Sequence, residues 1–591
     1  MIEKINYLVG PNGSGKTRAL QKLCAENDGV FIPKQRPTPT VGQFDEEQTV
    51  RSIRKFKQIS QSSPEQLAMS LLREKSKLRY TVFAILSKKL GRTFSVEIVE
   101  RSQHFKITSG LDPNHYKEVT VPRYDLQGES SGLRELIVLL TLIHSGLSTK
   151  YFIDEPELSL HPEAQRFLKN EMIRLAEEQN CEFWLATHSP IFFSPESIDE
   201  LKQATFYSDP QLPEGTKPDF DSLSPGQKNH LEKSLLRLDS EKWILVHSKA
   251  VIFCEGFRDK AIFKTVLNKV GIDLSRFDYS LVETGGKDDF STLFLLCQAI
   301  NKKSFYIGDL DCLIESKLLD KFDDNEIMKE ELSGISPSIQ DYITNNIKSP
   351  LGEIIEKLIS IPEADFKARD PDSKFWNNIS RIKTRTDNSK SLTLELINIF
   401  PEIAKVIVDD VGFTSKIDHL TASTIKAIEI LQKVGFFIHK SGTLETYYKS
   451  ESRSPKDEKK KISLFDDEYE SLKTEPKEDI KTRYGELIAF IKSTLTSIYD
   501  EKVFIKDEMI KMLSKIQVII LESKPADVVT LEASSKYVSL KISDLFELEN
   551  IVWTGIHYVL KGKSKTGFTP EFEFEIASNK GILDDEVIKF K

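Results

Sequence analysis

Two aspartates stand one residue apart at the end of an apolar run, in the stretch FYIGDLD that contains Asp309 and Asp311. Successive side chains of a β-strand point to opposite faces, so this spacing places both carboxylates on the same face. Like charges held that close repel each other unless something cationic lies between them. The pair therefore predicts a site that binds a cation.

A third acid stands at the end of another apolar run, in KAVIFCEGFRDKAIF. Gly256 allows a sharp turn from strand to helix and leaves the Glu255 carboxylate exposed at the strand tip. Asp259 lies four residues after Glu255, which is one helical turn, so it can face the same side. Between the two runs, VETGGKDDF predicts a glycine turn after a strand, with Lys287 free to touch a phosphate.

The order strand-Glu-Gly and then strand-Asp-x-Asp resembles the TOPRIM domain of topoisomerases, primases and certain nucleases. The resemblance implies that Glu255, Asp309 and Asp311 converge on Mg²⁺ or Mn²⁺, which are hard cations that prefer oxygen ligands. Where two ions bind, one activates a water and the other stabilises the leaving oxygen. Asp259 is a further candidate ligand. The alternative is that these acids are solvated strand ends of an ordinary α/β domain.

A phosphate-binding loop is predicted near the N-terminus, where GPNGSGKT follows the apolar run INYLV. Glycines in this pattern let backbone N–H groups close around phosphates, Lys16 places a positive charge on the β and γ oxygens, and Thr17 offers a hydroxyl to Mg²⁺. The helix that begins here adds its positive end. The residues expected to bind ATP are Asn12, Gly13, Gly15, Lys16 and Thr17.

Two later strand ends supply the remaining groups that an ATPase needs. In KYFIDEPELSLHP, Asp154 is expected to hold Mg²⁺ through water, and Glu155 to polarise the attacking water. In EFWLATHSP, His188 is expected to contact the γ-phosphate. The alternatives are solvated acids at a buried strand terminus and a structural histidine.

The stretch GESSGLRELIVLLTLI resembles the signature motif of ABC-type ATPases, although it departs from Leu-Ser-Gly-Gly-Gln. In that family the motif binds a nucleotide held by the opposite subunit, a role that the resemblance gives to Ser131 and Gly132, preceded by Ser130. The order of motifs is similar to that of ABC and SMC-like repair ATPases, which implies a homodimer or higher oligomer. Gln35 and Gln43 are both candidates for the glutamine that completes the magnesium shell.

An ABC-type ATPase followed directly by TOPRIM resembles the OLD (overcoming-lysogenization-defect) family of nucleases. In that family an acidic residue in a segment of the form Gly-x-Leu-Glu holds a second metal, and HKSGTLETYY offers Glu445. The family also uses a C-terminal lysine near the scissile phosphate. VLKGKSKTG offers Lys561, Lys563 and Lys565, of which we choose Lys563. The alternatives are a surface acid at a helix start and a solvated basic turn.

The resemblance implies an ATP-binding, metal-dependent nuclease that cuts or nicks phage or host DNA under nucleotide control. OLD-like proteins occur in bacterial anti-phage systems, including Gabija-type and retron-associated ones, so a partner protein or a retron ribonucleoprotein is expected. One alternative is a DNA-bound ATPase scaffold whose TOPRIM domain does not cut. Another is a topoisomerase-like enzyme, which needs a tyrosine on a separate helix-turn-helix element.

The elements that must position these residues follow an α/β pattern. We expect an ABC-type ATPase domain over residues 1–245, with a helical insertion at about 45–110 that serves for dimerisation. A TOPRIM domain is expected over 246–591, with a helical insertion at about 315–430. Residues 454–479 are rich in charge and low in large apolar side chains, which predicts a mobile or surface segment.

Composition limits the function classes. The net charge of −9 disfavours a protein that coats nucleic acid non-specifically, because that mode relies on a broad basic surface. No apolar run approaches the roughly 18 residues of a membrane span, and no signal peptide is recognised. The five cysteines show no paired spacing, which argues against a disulfide framework and favours the cytoplasm.

Overall fold

The computed structural model describes most of the chain, and every statement below refers to the part it describes. The described residues are 4–34, 64–99, 104–111, 124–125, 129–207, 214–221, 223–236, 238, 242–360, 362, 364, 411–449, 458–498, 546–553, 557–564, 572–577 and 588–590. Among them, no helix combines the length and the apolar character needed to cross a membrane.

The N-terminal part contains a five-stranded parallel sheet and a three-stranded antiparallel sheet. Its strands are β1 (Ile5–Val9), β2 (Val30–Ile32), β3 (Arg92–Val99), β4 (His104–Leu111), β5 (Tyr124–Asp125), β6 (Lys150–Asp154), β7 (Glu182–Ala186) and β8 (Ala204–Phe206). The parallel sheet has the order β2-β6-β7-β1-β8, and the smaller sheet has the order β3-β4-β5. Central strands such as β6 are buried along nearly their whole length, as expected for a sheet covered on both faces.

Helices surround this sheet. They are α1 (Lys16–Glu26), α2 (Pro64–Glu74), α3 (Ser76–Leu90), α4 (Ser131–Ile143), α5 (Pro162–Glu178), α6 (Ile198–Lys202) and α7 (Pro225–Leu235). The predicted insertion at 45–110 is helical from Pro64 to Leu90, and β3 and β4 then form an antiparallel hairpin.

A second parallel sheet follows the first. Its strands are β9 (Ala250–Cys254), β10 (Tyr279–Glu283), β11 (Lys303–Gly308) and β12 (Phe436–Ile438), in the order β10-β9-β11-β12. The strands β9 and β11 are neighbours at the centre, where Ala250 is paired with Lys303 and Cys254 with Ile307. Parallel neighbours end at the same edge of a sheet, so the residues that follow β9 and β11 are brought together.

The helices of this part are numerous. They are α8 (Phe257–Val270), α9 (Phe290–Ala299), α10 (Cys312–Glu315), α11 (Glu326–Leu332), α12 (Ile339–Ile343), α13 (Ser349–Ser360), α14 (Val411–Lys433), α15 (Glu458–Thr474) and α16 (Lys477–Arg483). Short helical turns of other types cover Lys242–Val246, Leu274–Phe277, Lys287–Asp289, Leu319–Phe322, Thr344–Lys348 and Leu444–Tyr447. The described part of 315–430 is helical, and β12 follows it.

The charged segment 454–479 contains a long helix where the sequence indicates a mobile or surface segment. The helix α15 runs from Glu458 to Thr474 and α16 begins at Lys477. Leu472 is fully buried, and the Glu468 carboxylate accepts a hydrogen bond from the Tyr484 hydroxyl at 3.0 Å. The few apolar residues of segment 454–479 are spaced so that they face a core. Composition alone does not reveal that spacing.

The two sheets share one compact unit, residues 1–485, and a second unit covers residues 486–591. The predicted boundary at 245 therefore separates two sheets but not two compact units. The reason is packing: buried apolar side chains from both sheets form one continuous cluster. The turn Lys242–Val246, which joins them, contributes Trp243, Leu245 and Val246 to it, all fully buried.

The second unit contains helix α17 (Gly485–Ile498), which begins at its border, and one antiparallel sheet. The strands of this sheet are β13 (Phe546–Trp553), β14 (His557–Ser564), β15 (Phe572–Ala577) and β16 (Ile588–Phe590), paired in sequence order. The whole described chain is thus α/β with parallel central sheets, which confirms the predicted fold class.

Candidate nucleotide and metal sites

The predicted phosphate loop connects β1 to α1. Gly13 and Gly15 have φ values of +76° and +92°, a region that glycine adopts without steric cost. Lys16 is 6% exposed, and its ammonium group donates hydrogen bonds to the carbonyls of Gly10 at 2.9 Å and Pro11 at 2.8 Å. Burial lowers the pKa of Lys16 to about 8, although the nearby carboxylates Glu155 and Asp154 act in the opposite direction.

The two residues expected to hold Mg²⁺ lie side by side. The Thr17 hydroxyl donates to Asp154, with Oγ1 at 3.1 Å from both carboxylate oxygens. Asp154 ends β6 and is 2% exposed. A hydroxyl beside a buried carboxylate offers only oxygen ligands, which is the donor set that Mg²⁺ prefers. The residues present therefore fit a magnesium ion.

Glu155 has a strained backbone. Its φ is +48°, which is uncommon for a residue with a side chain, and its N–H donates to the Ala186 carbonyl at 2.8 Å. The Lys34 ammonium lies 3.2 Å from its carboxylate. Strain of this kind concentrates at functional sites, because the surrounding structure must hold it in place.

His188 is positioned by Glu157, which the sequence reasoning missed. The Glu157 carboxylate accepts from the His188 backbone N–H at 2.6 Å and from the Thr187 hydroxyl at 2.8 Å. Burial and the charge of Lys16 together lower the pKa of His188 to about 4, so the ring is neutral near pH 7. A second glutamate two residues after Glu155 was the available signal, but its partner is thirty residues away in sequence.

The signature-like segment begins α4. The Ser130 side chain caps the helix by accepting from the Leu133 N–H at 3.3 Å. Ser131 is exposed at the first position of the helix, and a Cβ at Gly132 would lie 2.7 Å from the Ser159 carbonyl oxygen. Glycine is therefore required there by close backbone approach. Gln35 and Gln43 lie outside the described residues.

At the second sheet, Glu255 links the ends of β9 and β11. Its Oε1 accepts from the Asp309 N–H at 3.0 Å and from the Cys312 thiol at 3.4 Å. Glu255, Asp311 and Cys312 each offer an atom that lies within 4.8 Å of the others. The strand ends thus meet as the sequence predicts, and Cys312, which was not singled out, is part of the group.

Asp259, Asp309 and Glu445 extend this cluster. Burial raises the pKa of Asp259 to about 7, and the charges of Glu255 and Glu445 add to that effect. Burial also raises the pKa of Asp309, with further contributions from the charges of the other four acids. Such mutual effects require carboxylates that are close together. The segment before Glu445 is fixed at the end of β11, since the Leu310 N–H donates to the Gly442 carbonyl at 2.7 Å.

Carboxylates grouped at these strand ends fit a divalent cation better than any neutral ligand, because a cation offsets the repulsion between like charges. Oxygen donors suit Mg²⁺ or Mn²⁺, and the Cys312 thiol stays protonated because burial raises its pKa well above the ordinary value. The predicted acids stay the candidates to hold a metal, and Glu255 and Asp311 are the two whose ligand atoms lie within 4.8 Å of each other.

Lys287 is not free, contrary to the expectation from sequence. Its ammonium group donates to Asp311 and lies 2.6 Å from the Glu315 carboxylate. Burial lowers the pKa of Lys287, but the hydrogen bonds to Asp311 and Glu315 outweigh burial and raise it above its ordinary value. Glu315, which the sequence reasoning missed, lies one turn after Asp311 on α10 and so faces the same lysine.

The C-terminal lysines belong to the second unit. Lys561 and Lys563 are in β14, where Lys563 is paired with Glu547 and Lys561 with Asn550. Lys565 lies outside the described residues. The choice of Lys563 stays a prediction.

Comparison with known proteins gives two family matches. The model for an AAA ATPase domain matches residues 43–193. The model for the TOPRIM domain of proteins like the overcoming lysogenization defect protein matches residues 247–311, a range that includes Glu255, Asp309 and Asp311. An OLD nuclease from Thermus scotoductus (strain ATCC 700910 / SA-01) is 24% identical over 159 residues. That alignment covers 27% of this chain and 30% of the relative.

Proposed function

We propose that the chain is an ATPase–TOPRIM protein of the OLD family that hydrolyses ATP and cuts or nicks DNA with a divalent metal, under control of the nucleotide. The observation that carries the proposal is that the acids following β9 and β11 meet: Glu255 accepts a hydrogen bond from the Asp309 N–H, and it offers a ligand atom within 4.8 Å of one from Asp311. The charges of Asp259 and Glu445 raise the pKa of Asp309, which indicates that both are near it. They lie in the same compact unit as the phosphate loop.

For the ATPase reaction, each residue has a role that follows from its position. Lys16 exchanges its bonds to the Gly10 and Pro11 carbonyls for phosphate oxygens. Thr17 and Asp154 bind Mg²⁺, which neutralises charge on the phosphates. Glu155 orients the attacking water, and the N–H of the neutral His188 ring donates to a γ-phosphate oxygen. Ser131 and Gly132 contact the nucleotide of a second subunit, so the active form is a homodimer or a higher oligomer.

For the nuclease reaction, Glu255, Asp309 and Asp311 bind the first Mg²⁺ or Mn²⁺ ion, with Asp259 and Glu445 on a second. When bound, the metal would supply a water nucleophile and would stabilise the leaving oxygen. Asp259, held by the Gly256 N–H at 2.9 Å, keeps its orientation through the helix start. Lys563 supplies a positive charge to the scissile phosphate. The substrate is phage or host DNA.

We also propose the biological setting that the family resemblance implies. The protein acts in anti-phage defence, with a partner protein or a retron ribonucleoprotein as its trigger. The cytoplasm is the proposed compartment, supported by five cysteines that are all free and buried.

Plasmid cleavage tests the nuclease. Wild type, Glu255→Gln and Asp309→Asn are incubated with supercoiled plasmid and Mn²⁺ or Mg²⁺, with and without ATP. We expect nicked or linear DNA from wild type alone. Intact plasmid under all conditions contradicts the nuclease and favours a scaffold, whereas protein attached covalently to the DNA favours a topoisomerase-like enzyme.

Lys16→Ala tests the ATPase. Loss of one preorganised positive charge at the phosphates typically costs about a hundredfold or more in rate. ATP hydrolysis at the wild-type rate would contradict the assignment of the phosphate loop.

A further inference from the structure

We propose that His247 and Lys302 couple the nucleotide site to the metal centre. His247 is a positioning residue beside the nucleotide site, and Lys302 holds the backbone around His247 from the TOPRIM part. This inference rests on the proposed function and names the residues through which nucleotide state reaches the nuclease.

His247 faces the phosphate loop. Its ring centroid lies 5.7 Å from that of His188, and both rings, with Asn12, line a cavity of about 780 Å³. Both ring nitrogens are shielded from solvent, and neither has a partner with hydrogen-bond geometry among the described residues. Burial and the charge of Lys16 lower the pKa of His247 to about 3, while the nearby Gly10 carbonyl acts in the opposite direction. A neutral ring thus stands beside the residues expected to touch the γ-phosphate, with the Gly10 carbonyl of the phosphate loop near it.

Lys302 holds the backbone on both sides of His247. Its ammonium group donates to the Val246 carbonyl at 3.3 Å and also to the Ser248 carbonyl. Lys302 is 5% exposed, and burial lowers its pKa to about 8, with a smaller effect of the same sign from the charge of Lys16. A buried charged group is strongly unfavourable unless it has good partners. Lys302 has two carbonyl partners, one on each side of His247, so a role in positioning that backbone explains why a lysine is buried here.

Both residues stand at the start of strands that end at the metal centre. His247 is three residues before β9, which leads to Glu255, and Lys302 immediately precedes β11, which leads to Asp309. The two strands are paired from Ala250 and Lys303 onward. A five-residue strand spans roughly 17 Å, so one rigid pair of strands connects the two sites.

Close packing makes this connection stiff. All five residues of β9 are buried, and interiors at crystal-like density transmit small displacements instead of absorbing them. A shift of His247 toward a γ-phosphate therefore moves the start of β9, and Lys302 moves β11 with it. That displacement would reach the hydrogen bond between the Asp309 N–H and the Glu255 carboxylate, whose donor and acceptor lie 3.0 Å apart.

The variants His247→Phe and Lys302→Met test the coupling. The first keeps an aromatic ring and removes both nitrogens, and the second keeps the length of the side chain and removes its charge. The matched controls are His230→Phe, at an exposed histidine of α7, and Lys303→Met, at the exposed neighbour of Lys302. Folding of each variant is checked by thermal unfolding.

The measured quantity is the ratio of plasmid cleavage with ATP to cleavage without it, alongside ATP hydrolysis. Coupling between two sites is typically about 5- to 150-fold. We expect that ratio, above or below one in wild type, to fall to within about twofold of one in both variants and to persist in both controls. Hydrolysis should continue in Lys302→Met. An unchanged ratio in both folded variants overturns the proposal, as does a loss of hydrolysis that accounts for the whole change.

Hydrogen exchange gives a readout that needs no cleavage. In wild type, a slowly hydrolysed ATP analogue with Mg²⁺ should slow amide exchange in residues 247–255 and 302–309, and the two variants should lose that response. If wild type never cuts DNA, the proposed function fails but this measurement still decides the coupling. Equal protection in wild type and variants would refute it.

Discussion

Lys287 and Glu315 form a close ion pair at 2.6 Å, and the same ammonium group donates to Asp311. Lys287 therefore neutralises a carboxylate that is proposed to bind the metal. If a divalent ion binds Asp311, it competes with the Lys287 ammonium and must displace or rearrange it.

Lys287→Met should strengthen metal binding. A hydrogen bond between charged groups contributes about 1.5–3 kcal/mol, so removing the competing cation should lower the Mn²⁺ concentration for half-maximal binding by roughly tenfold or more. Isothermal titration with Mn²⁺ in the absence of nucleotide measures this. Lys321→Met, which removes a lysine from an ion pair with Asp320, is the control and should bind Mn²⁺ as wild type does. Weaker binding by Lys287→Met would mean that the lysine supports the site instead of competing for it.

Asp309→Asn should separate the two activities. The asparagine keeps the size of the side chain and the backbone N–H that donates to Glu255, but it removes one negative charge from the cluster. Cleavage should fall by about a hundredfold or more, as is usual when a group that stabilises the reacting charges is lost. ATP hydrolysis should stay within about twofold of wild type, because Asp309 follows a strand of the second parallel sheet and the residues expected to bind the nucleotide follow strands of the first. A parallel loss of hydrolysis would indicate a folding defect.

Asp259 should make the stability of the metal-free protein dependent on pH. Its pKa is raised from 3.8 to about 7, so the folded state holds the proton more tightly than the unfolded chain does. The resulting stabilisation is fully present below the unfolded pKa and is lost as the pH rises from about 4 through about 7. Thermal unfolding with a chelator, measured across this range, should show a falling melting temperature.

Asp259→Asn is the matched variant for that measurement. Its amide oxygen still accepts from the Gly256 N–H, but the side chain no longer ionises. The slope between about pH 4 and 7 should therefore be shallower than in wild type. A wild-type slope that the substitution leaves unchanged would assign the pH dependence to other groups.

Glu157→Ala should slow ATP hydrolysis without unfolding the protein. The variant removes the acceptor for the His188 N–H and the Thr187 hydroxyl, so both lose the contact that holds the end of β7. We expect a fall of roughly tenfold in the hydrolysis rate, because misplacement of a catalytic group is costly even when the group itself is present. Partial recovery in Glu157→Gln, which retains an acceptor oxygen, would support a positioning role.

The parts of the site that sequence predicted were those written into short motifs. The phosphate loop and the Asp154 strand end depend on local strand and turn geometry, and the pairing of β9 with β11 then brought Glu255 and Asp309 together. The expected alternation of Asp309 and Asp311 along a strand was wrong, because β11 ends at Gly308 and both acids lie in the turn that follows it. Sequence failed where a side chain crosses between elements. The Lys287 ammonium reaches Asp311 across 24 positions and Lys302 reaches Ser248 across 54, which no local pattern encodes.

The packing of the two parallel sheets into one core is a second feature that local sequence patterns do not encode. A change of sheet is visible in sequence as the end of one α/β pattern and the start of another. Whether the two sheets share a core depends on which side chains of the connecting turn are buried. In the turn Lys242–Val246, three buried side chains belong to the apolar cluster that both sheets share.

Trp243 gives that shared core a practical meaning. Its ring is fully buried and stands edge-on to Phe193 at 5.7 Å, yet it lies only twelve residues before Glu255. An ATPase fragment that ends before Trp243 would have a cavity in its core where this ring packs. A nuclease fragment that retains Trp243 would expose the ring to water. The two parts are therefore difficult to express as separate domains. Loss of activity after removal of either part should be attributed to unfolding before it is attributed to loss of a functional residue.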